Sequence, residues 1–264
     1  MQGILNLSSK TVVVFSCAHA DPSTSNVRFK ALGQFLYNLK PDMVFDLGDG
    51  ADMRSLNSYD ERYPKALATQ SYERDIESYN NAQELIRQPF KQNHKKQPYW
   101  VGFEGNHEHR IKRYLTLNPR SEGEKYGVSF NHLQTDYWFD DYHEYENDGP
   151  AIATYDGVAY AHYFTTGNSA TATSGIHHAY TLVQNLSCSA TCGHSHKRDL
   201  SFKDGALPNG NIGLVVGCYK GSEEHWAGQA NKGWWNGVVI KRELENGMYE
   251  PEFVSLRQIL RLYG

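Results

Sequence analysis

The sequence predicts an α/β fold, and three observations lead there. Runs of β-branched and apolar residues at strand length occur at residues 11–16 (TVVVFS), 43–47 and 99–103, dense enough for strands covered on both faces. Between the first two runs, apolar residues recur at helical spacing. Each run also ends in a loop carrying Gly, His, Asp or Asn, at the sheet edge where open α/β folds bind ligands.

The strand at 11–16 runs into Cys17-Ala18-His19-Ala20-Asp21-Pro22. Residues 26–39 place Val27, Phe29, Leu32, Phe35, Leu36 and Leu39 at helical spacing, and Pro41 ends that helix. The strand at 43–47 ends in Gly48-Asp49-Gly50-Ala51-Asp52. Crossovers between parallel strands are right-handed, so both loops should open on one sheet edge. Residues 60–88 are polar with a helical period, with Pro64 near a start and Pro89 at the stop. The strand at 99–103 leads through Gly105-Asn106-His107-Glu108 into a helix beginning near His109. Residues 118–133 form a long loop of the kind that shapes binding sites, and 137–146 an aromatic stretch, strand-like or irregular. After a turn at Asp148-Gly149-Pro150, Asp156-Gly157 joins strands at 151–155 and 158–164 as a hairpin, the second carrying His162. A small-residue loop at 165–175, a helix at 176–185 and a strand at 189–192 lead into Gly193-His194-Ser195-His196. Strands at 212–218 and 237–242, a turn at Asn246-Gly247 and an amphipathic segment at 254–262 follow. No repeat or linker divides the chain, so a single domain over residues 1–264 is expected.

Composition removes several classes of function. The formal net charge is -4 with no block of five like charges, which excludes a strongly basic nucleic-acid footprint but not a local patch. Cys17, Cys188, Cys192 and Cys218 show no Cys-x-x-Cys spacing; this argues against a disulfide scaffold or zinc ribbon and fits a reducing compartment. Residues 1–10 lack the pattern of a signal peptide, and no apolar run approaches the roughly 18 residues that cross a bilayer. A cytoplasmic protein without a membrane partner is therefore expected.

The strand ends gather Cys17 and His19, Asp49 and Asp52, Asn106 and His107, His162, then His194 and His196. Imidazoles and carboxylates from several strand ends suit divalent metals such as zinc, manganese, iron or nickel. Asp49, between two glycines, has two oxygens with which to bridge two ions. His109, Arg110, His132 and His143 are surface or supporting candidates. His177-His178 reads as a solvated helix face, Glu223-Glu224-His225-Trp226 as a rim to the pocket, and Trp234-Trp235 as packing rather than base stacking.

The order Cys-Ala-His, Gly-Asp-Gly-Ala-Asp, Gly-Asn-His-Glu, a lone His after a strand, and Gly-His-Ser-His resembles the calcineurin-like metallophosphoesterase superfamily. The motifs run from Cys17 to His196 in the family order. The resemblance implies a four-layer α/β/β/α sandwich with two divalent metal ions at its strand ends. By matching motif, His19 and His196 would hold the first metal, Asn106, His162 and His194 the second, and Asp49 would bridge both. His107 matches the catalytic imidazole and Asp52 the carboxylate that orients it. The Glu108-x-Arg110 continuation is similar to the protein-phosphatase branch, where the arginine contacts phosphate. Cys17 departs from the pattern, which has aspartate there. It is read as a thiolate ligand favouring softer metals, against the alternative of a buried thiol beside a weaker or missing first metal.

A phosphoester substrate follows from the resemblance, with a small nucleotide or other small phosphoester favoured. The mild negative charge disfavours a nuclease, which stays open because Lys112, Arg113, Arg120 and Lys125 flank the 118–133 loop. A degenerate, non-catalytic binding module, with Cys17 as the first sign of decay, is the reading from a different class.

Overall fold

The computed structural model describes residues 10–57, 69–147, 149–165, 170–204, 210–221 and 225–264. It is a mixed α/β structure with two mixed sheets. In the first, β1 (Lys10–Phe15), β2 (Met43–Asp46), β3 (Tyr99–Phe103) and β4 (Asp141–His143) run parallel. β10 (Gly237–Glu245) pairs antiparallel with β1, and β11 (Met248–Ser255) pairs antiparallel with β10 at the sheet edge. In the second, β6 (Val158–Tyr160), β7 (Ser189–Cys192) and β9 (Asn211–Val216) are parallel. β5 (Ala153–Tyr155) and β8 (Arg198–Lys203) flank them antiparallel.

The period-two alternation of strands decides the layering. Val12, Val14, Phe45, Val101 and Phe103 turn one way and pack against Val158, Tyr160, Ile212, Leu214 and Val216 of the second sheet. Phe45 stacks on Tyr160 with ring centroids 4.1 Å apart. Val13, Phe15, Val44, Trp100, Val238 and Ile240 turn the other way, under α1 (Val27–Leu39), α2 (Tyr72–Gln92) and α6 (Leu256–Tyr263). The outer face of the second sheet is covered by α5 (His178–Leu186) through Ala179, Leu182, Ala159, Ala190 and Val215. Faces buried on both sides explain why the parallel strands read as continuous apolar runs. A lysine lies between the two sheets: Lys241 donates to the Tyr160 hydroxyl at 3.0 Å and to Thr191 Oγ1 at 2.7 Å, and burial pushes it well below the lysine range.

Several elements differ from expectation. Pro89 lies inside α2, which continues to Gln92; so close to the helix end a missing N–H sacrifices one intrahelical bond at most. Pro64 and the expected start of that helix fall outside the described residues. The 137–146 stretch divides into α4 (Thr135–Trp138) and β4, preceded by α3 (His109–Leu117) and two 3-10 turns. β8 and β11 were not expected. Both are edge strands of half-exposed, charged sequence (RDLSFK and MYEPEFVS), and an edge position tolerates Pro251. Among the described residues no helix is long and apolar enough to cross a membrane.

α1 and α2 approach closely at Gly33, where a Cβ would lie 2.4 Å from the Ile86 carbonyl oxygen. Gly33→Ala is expected to destabilise the fold by about 1–3 kcal/mol through overpacking, measured by urea denaturation. An unchanged midpoint would contradict this packing.

Candidate metal centre

The parallel strands β1, β2, β3, β6 and β7 deliver their following loops to one edge of the sandwich. Backbone bonds lock these loops together: Cys17 N donates to Gly48 O at 2.9 Å, His19 N to Asp49 O at 2.9 Å, and Gly193 N to His162 O at 3.0 Å. A side chain adds a three-point tie. Glu108 Oε2 accepts from Asp49 N and Gly105 N, both at 2.9 Å, and Oε1 accepts from Ala51 N at 2.8 Å. Gly105 has to be glycine, because a Cβ there would meet Asp49 N and Oδ1 at 2.3 Å. Burial and the nearby Asp49 push the Glu108 carboxyl up to about 7.

Two groups of donors converge within this frame. In the first, His19 Nδ1 faces Asp52 Oδ1 at 3.0 Å, which assigns its proton to Nδ1 and leaves the Nε2 lone pair free. That lone pair points at His196 Nε2, 3.3 Å away. In the second, His162 Nδ1 faces the Leu47 carbonyl at 2.6 Å, so its Nε2 is likewise a lone pair. Around it lie Asn106 Oδ1 at 3.1 Å, His194 Nδ1 at 3.2 Å and Asp49 Oδ2 at 3.2 Å. Asn106 Oδ1 and His194 Nδ1 are 3.0 Å apart. Lone pairs gathered this way repel one another unless a cation or a proton lies between them. Atoms about 2.1 Å from a common ion at tetrahedral or octahedral angles sit roughly 3.0–3.4 Å apart, so the donor set fits a divalent metal.

Protonation states agree with that fit. Burial, reinforced by neighbouring cationic groups, lowers His19 to about 3, His194 to about 4 and His196 to about 2, so all three offer neutral nitrogens at pH 7. Burial alone would raise the Asp49 carboxyl, yet His162 and His107 hold it well below the carboxylate range. His162 is raised by Asp49 against its own burial. Cys17 Sγ lies within 4.8 Å of the His19 and His196 donors and also of those of Asp49 and His162. Burial and the Asp49 charge push its thiol up, a balance that an adjacent cation reverses. The thiol is therefore inside the donor cluster, where the ligand reading needs it.

His107 stands beside the donors with its ring 4.4 Å from that of His19. Its Nδ1 is 2.8 Å from the Asp52 carbonyl oxygen and 3.0 Å from Asp52 Oδ1. Its backbone N–H donates to Asp49 Oδ1 at 2.9 Å. Arg110 donates from Nη1 to Asp52 O at 2.8 Å and from Nη2 toward His107 Nε2 at 3.2 Å. The structure thus gathers Cys17, His19, Asp49, Asp52, Asn106, His107, Arg110, His162, His194 and His196 at one edge. His162 sits two residues beyond β6, whereas the sequence placed it on the strand.

The other candidates lie elsewhere. His109 is paired with buried Glu104 at 2.8 Å, His132 with the Tyr72 hydroxyl at 2.8 Å, and His143 with the Tyr155 hydroxyl at 2.7 Å. His178 is buried, not solvated. It lies under the 193–196 loop, its Nδ1 3.4 Å from Ser195 Oγ and its Nε2 3.6 Å from Cys192 Sγ. Glu223 and Glu224 fall outside the described residues. Two supporting residues, Arg28 and Lys220, escaped the sequence reading, and a third, Trp234, was read there as packing. Arg28 donates to the carbonyls of Ala18 and His19 at 2.9 and 3.0 Å, beneath the first loop. Buried Lys220 follows β9, and its charge helps keep His19 and His196 neutral. Trp234 packs edge-on against His196 with centroids 4.4 Å apart. Lys220 carried a usable signal, since it too follows a strand end.

Glu108→Gln must turn an amide N–H toward backbone donors that now meet an oxygen. The variant is expected to fold but to bind zinc or manganese about 10–100-fold more weakly, read by titration calorimetry; affinity within twofold of wild type would contradict the clamp. No protein-family model and no curated protein sequence matches the chain.

Proposed function

We propose that this chain is a metal-dependent phosphoesterase whose site would hold a pair of divalent ions, with Asp49 a ligand shared by both. The observation that carries the reading is the convergence of lone pairs from loops after β1, β3, β6 and β7 around the carboxylate supplied after β2. Helices outside two face-to-face sheets are also what the calcineurin-like sandwich would have. His19, His196 and Cys17 would serve the first ion, and Asn106, His162 and His194 the second. Such ions, when bound, activate water and neutralise phosphoryl oxygens.

The chain's own residues supply orientation and proton handling. Asp49 is fixed by the His107 N–H at Oδ1, which leaves Oδ2 turned toward His162. Asp52 holds the Nδ1 protons of both His19 and His107 and so sets both tautomers. Arg110 is poised over His107 Nε2. A phosphoryl oxygen that draws the guanidinium away frees that nitrogen to take a proton from solvent, and the imidazolium so formed donates it to the departing alkoxide. Small phosphoesters remain favoured over nucleic acid, because Lys112 is already engaged by Glu104 at 2.6 Å and Glu144 at 2.7 Å. Cys17 stands among the donors rather than displacing them, which weighs against a decayed site.

A panel of phosphomonoesters and phosphodiesters, run with manganese, zinc, iron and nickel, tests the reading. Turnover is expected with at least one metal, and none across the panel would refute it. Asp49→Asn and His194→Ala should each abolish turnover with the circular-dichroism spectrum retained; activity kept in either would remove the site assignment. His107→Ala should keep its metal and lose about 10²-fold or more in kcat, most for esters with poor leaving groups; an equal loss across leaving groups would deny His107 the role of acid.

A further inference from the structure

Two phenols lie beside the histidines of the second donor group. The Tyr163 ring lies 5.0 Å from that of His194 and 5.8 Å from that of His162, and is partly open to solvent. Tyr145 meets it edge-on at 6.3 Å, stacks on His109 at 4.8 Å and is anchored by its N–H on Glu104 Oε2 at 2.6 Å. The Tyr145 hydroxyl is buried and makes no hydrogen bond. Leaving a buried hydroxyl unpaired is destabilising. A phenyl ring would pack against His109 and His194 equally well, so packing does not account for the oxygens.

We propose that Tyr163 is a substrate-binding residue whose hydroxyl donates to a phosphoryl oxygen on the His162–His194 side, with Tyr145 behind it as the positioning residue. The inference rests on the phosphoesterase reading. When the Tyr163 hydroxyl turns to a phosphoryl oxygen, its own oxygen becomes the acceptor that Tyr145 lacks. The chemistry recognised is a tetrahedral oxyanion, and neutral donors near Asp49 add no competing cation to the metal donors.

The test is calorimetric titration of inorganic phosphate into the manganese-loaded full chain, with metal content measured alongside. Tyr163→Phe is expected to keep the wild-type metal content and bind phosphate at least fivefold more weakly. Tyr145→Phe should shift affinity the same way by less, and the double variant should match Tyr163→Phe alone. Phosphate affinity within twofold of wild type in Tyr163→Phe overturns the inference, as does loss of metal from that variant, which would reduce the ring to a support for His194. Additive losses in the double variant overturn the positioning role of Tyr145. Wild-type protein that binds no phosphate overturns the proposal. Wild-type turnover of esters beside an unaffected Tyr163→Phe overturns this inference while sparing the function.

Discussion

Everything at the site depends on one carboxylate that holds three backbone amides. Glu108 receives the N–H groups of Asp49, Ala51 and Gly105, and so joins the loop after β2 to the loop after β3. Those amides face a buried space and would otherwise be orphaned, at a cost comparable to a lost hydrogen bond each. Satisfying all three with one rigid group fixes Asp49 in a left-handed conformation, φ 56°. It also presses Gly105 against the Asp49 side chain. The direction of the Asp49 carboxylate is therefore set by backbone geometry before any ligand arrives.

The same pattern of constraint recurs around the edge. Cys17, His19, Asp49, His194 and His196 all have positive φ between 46° and 62°, a region that costs a residue with a Cβ about 1–3 kcal/mol. Five such residues at one sheet edge concentrate strain where the donors meet. The rigid layers beneath absorb it, since Val12, Val14, Phe45, Val101 and Leu214 are sealed between the sheets. A site built on strand ends can hold repelling lone pairs at 3.0–3.3 Å because the loops have little freedom to part. Preorganised donors lose less entropy on binding a cation than flexible ones do.

How much of this was legible follows from burial. β1, β2, β3 and β7 announced themselves because both faces of each are covered, so the apolar run is unbroken. β8 and β11 did not, since an edge strand with a half-exposed face carries little pattern. The candidate donors were legible because the chemistry of metals restricts the residue types and every one follows a strand. Roles that depend on three-dimensional contact were hidden. Nothing in the order of residues shows that Glu108 caps backbone amides 57 and 59 positions away. Nor does it show that His178 tucks under Ser195, or that His162 falls just past its strand. The resemblance offered Arg110 as a phosphate contact, whereas its contact with His107 Nε2 was not legible.

The central claim is that the two donor groups are neighbouring halves of one metal centre sharing Asp49. Anomalous diffraction from crystals grown with manganese measures this without reference to turnover. The account predicts two difference peaks flanking the Asp49 carboxylate, one against His19 and His196 and the other against Asn106, His162 and His194. Manganese bound only elsewhere on the molecule, or a single peak that leaves Asp49 untouched, would contradict it.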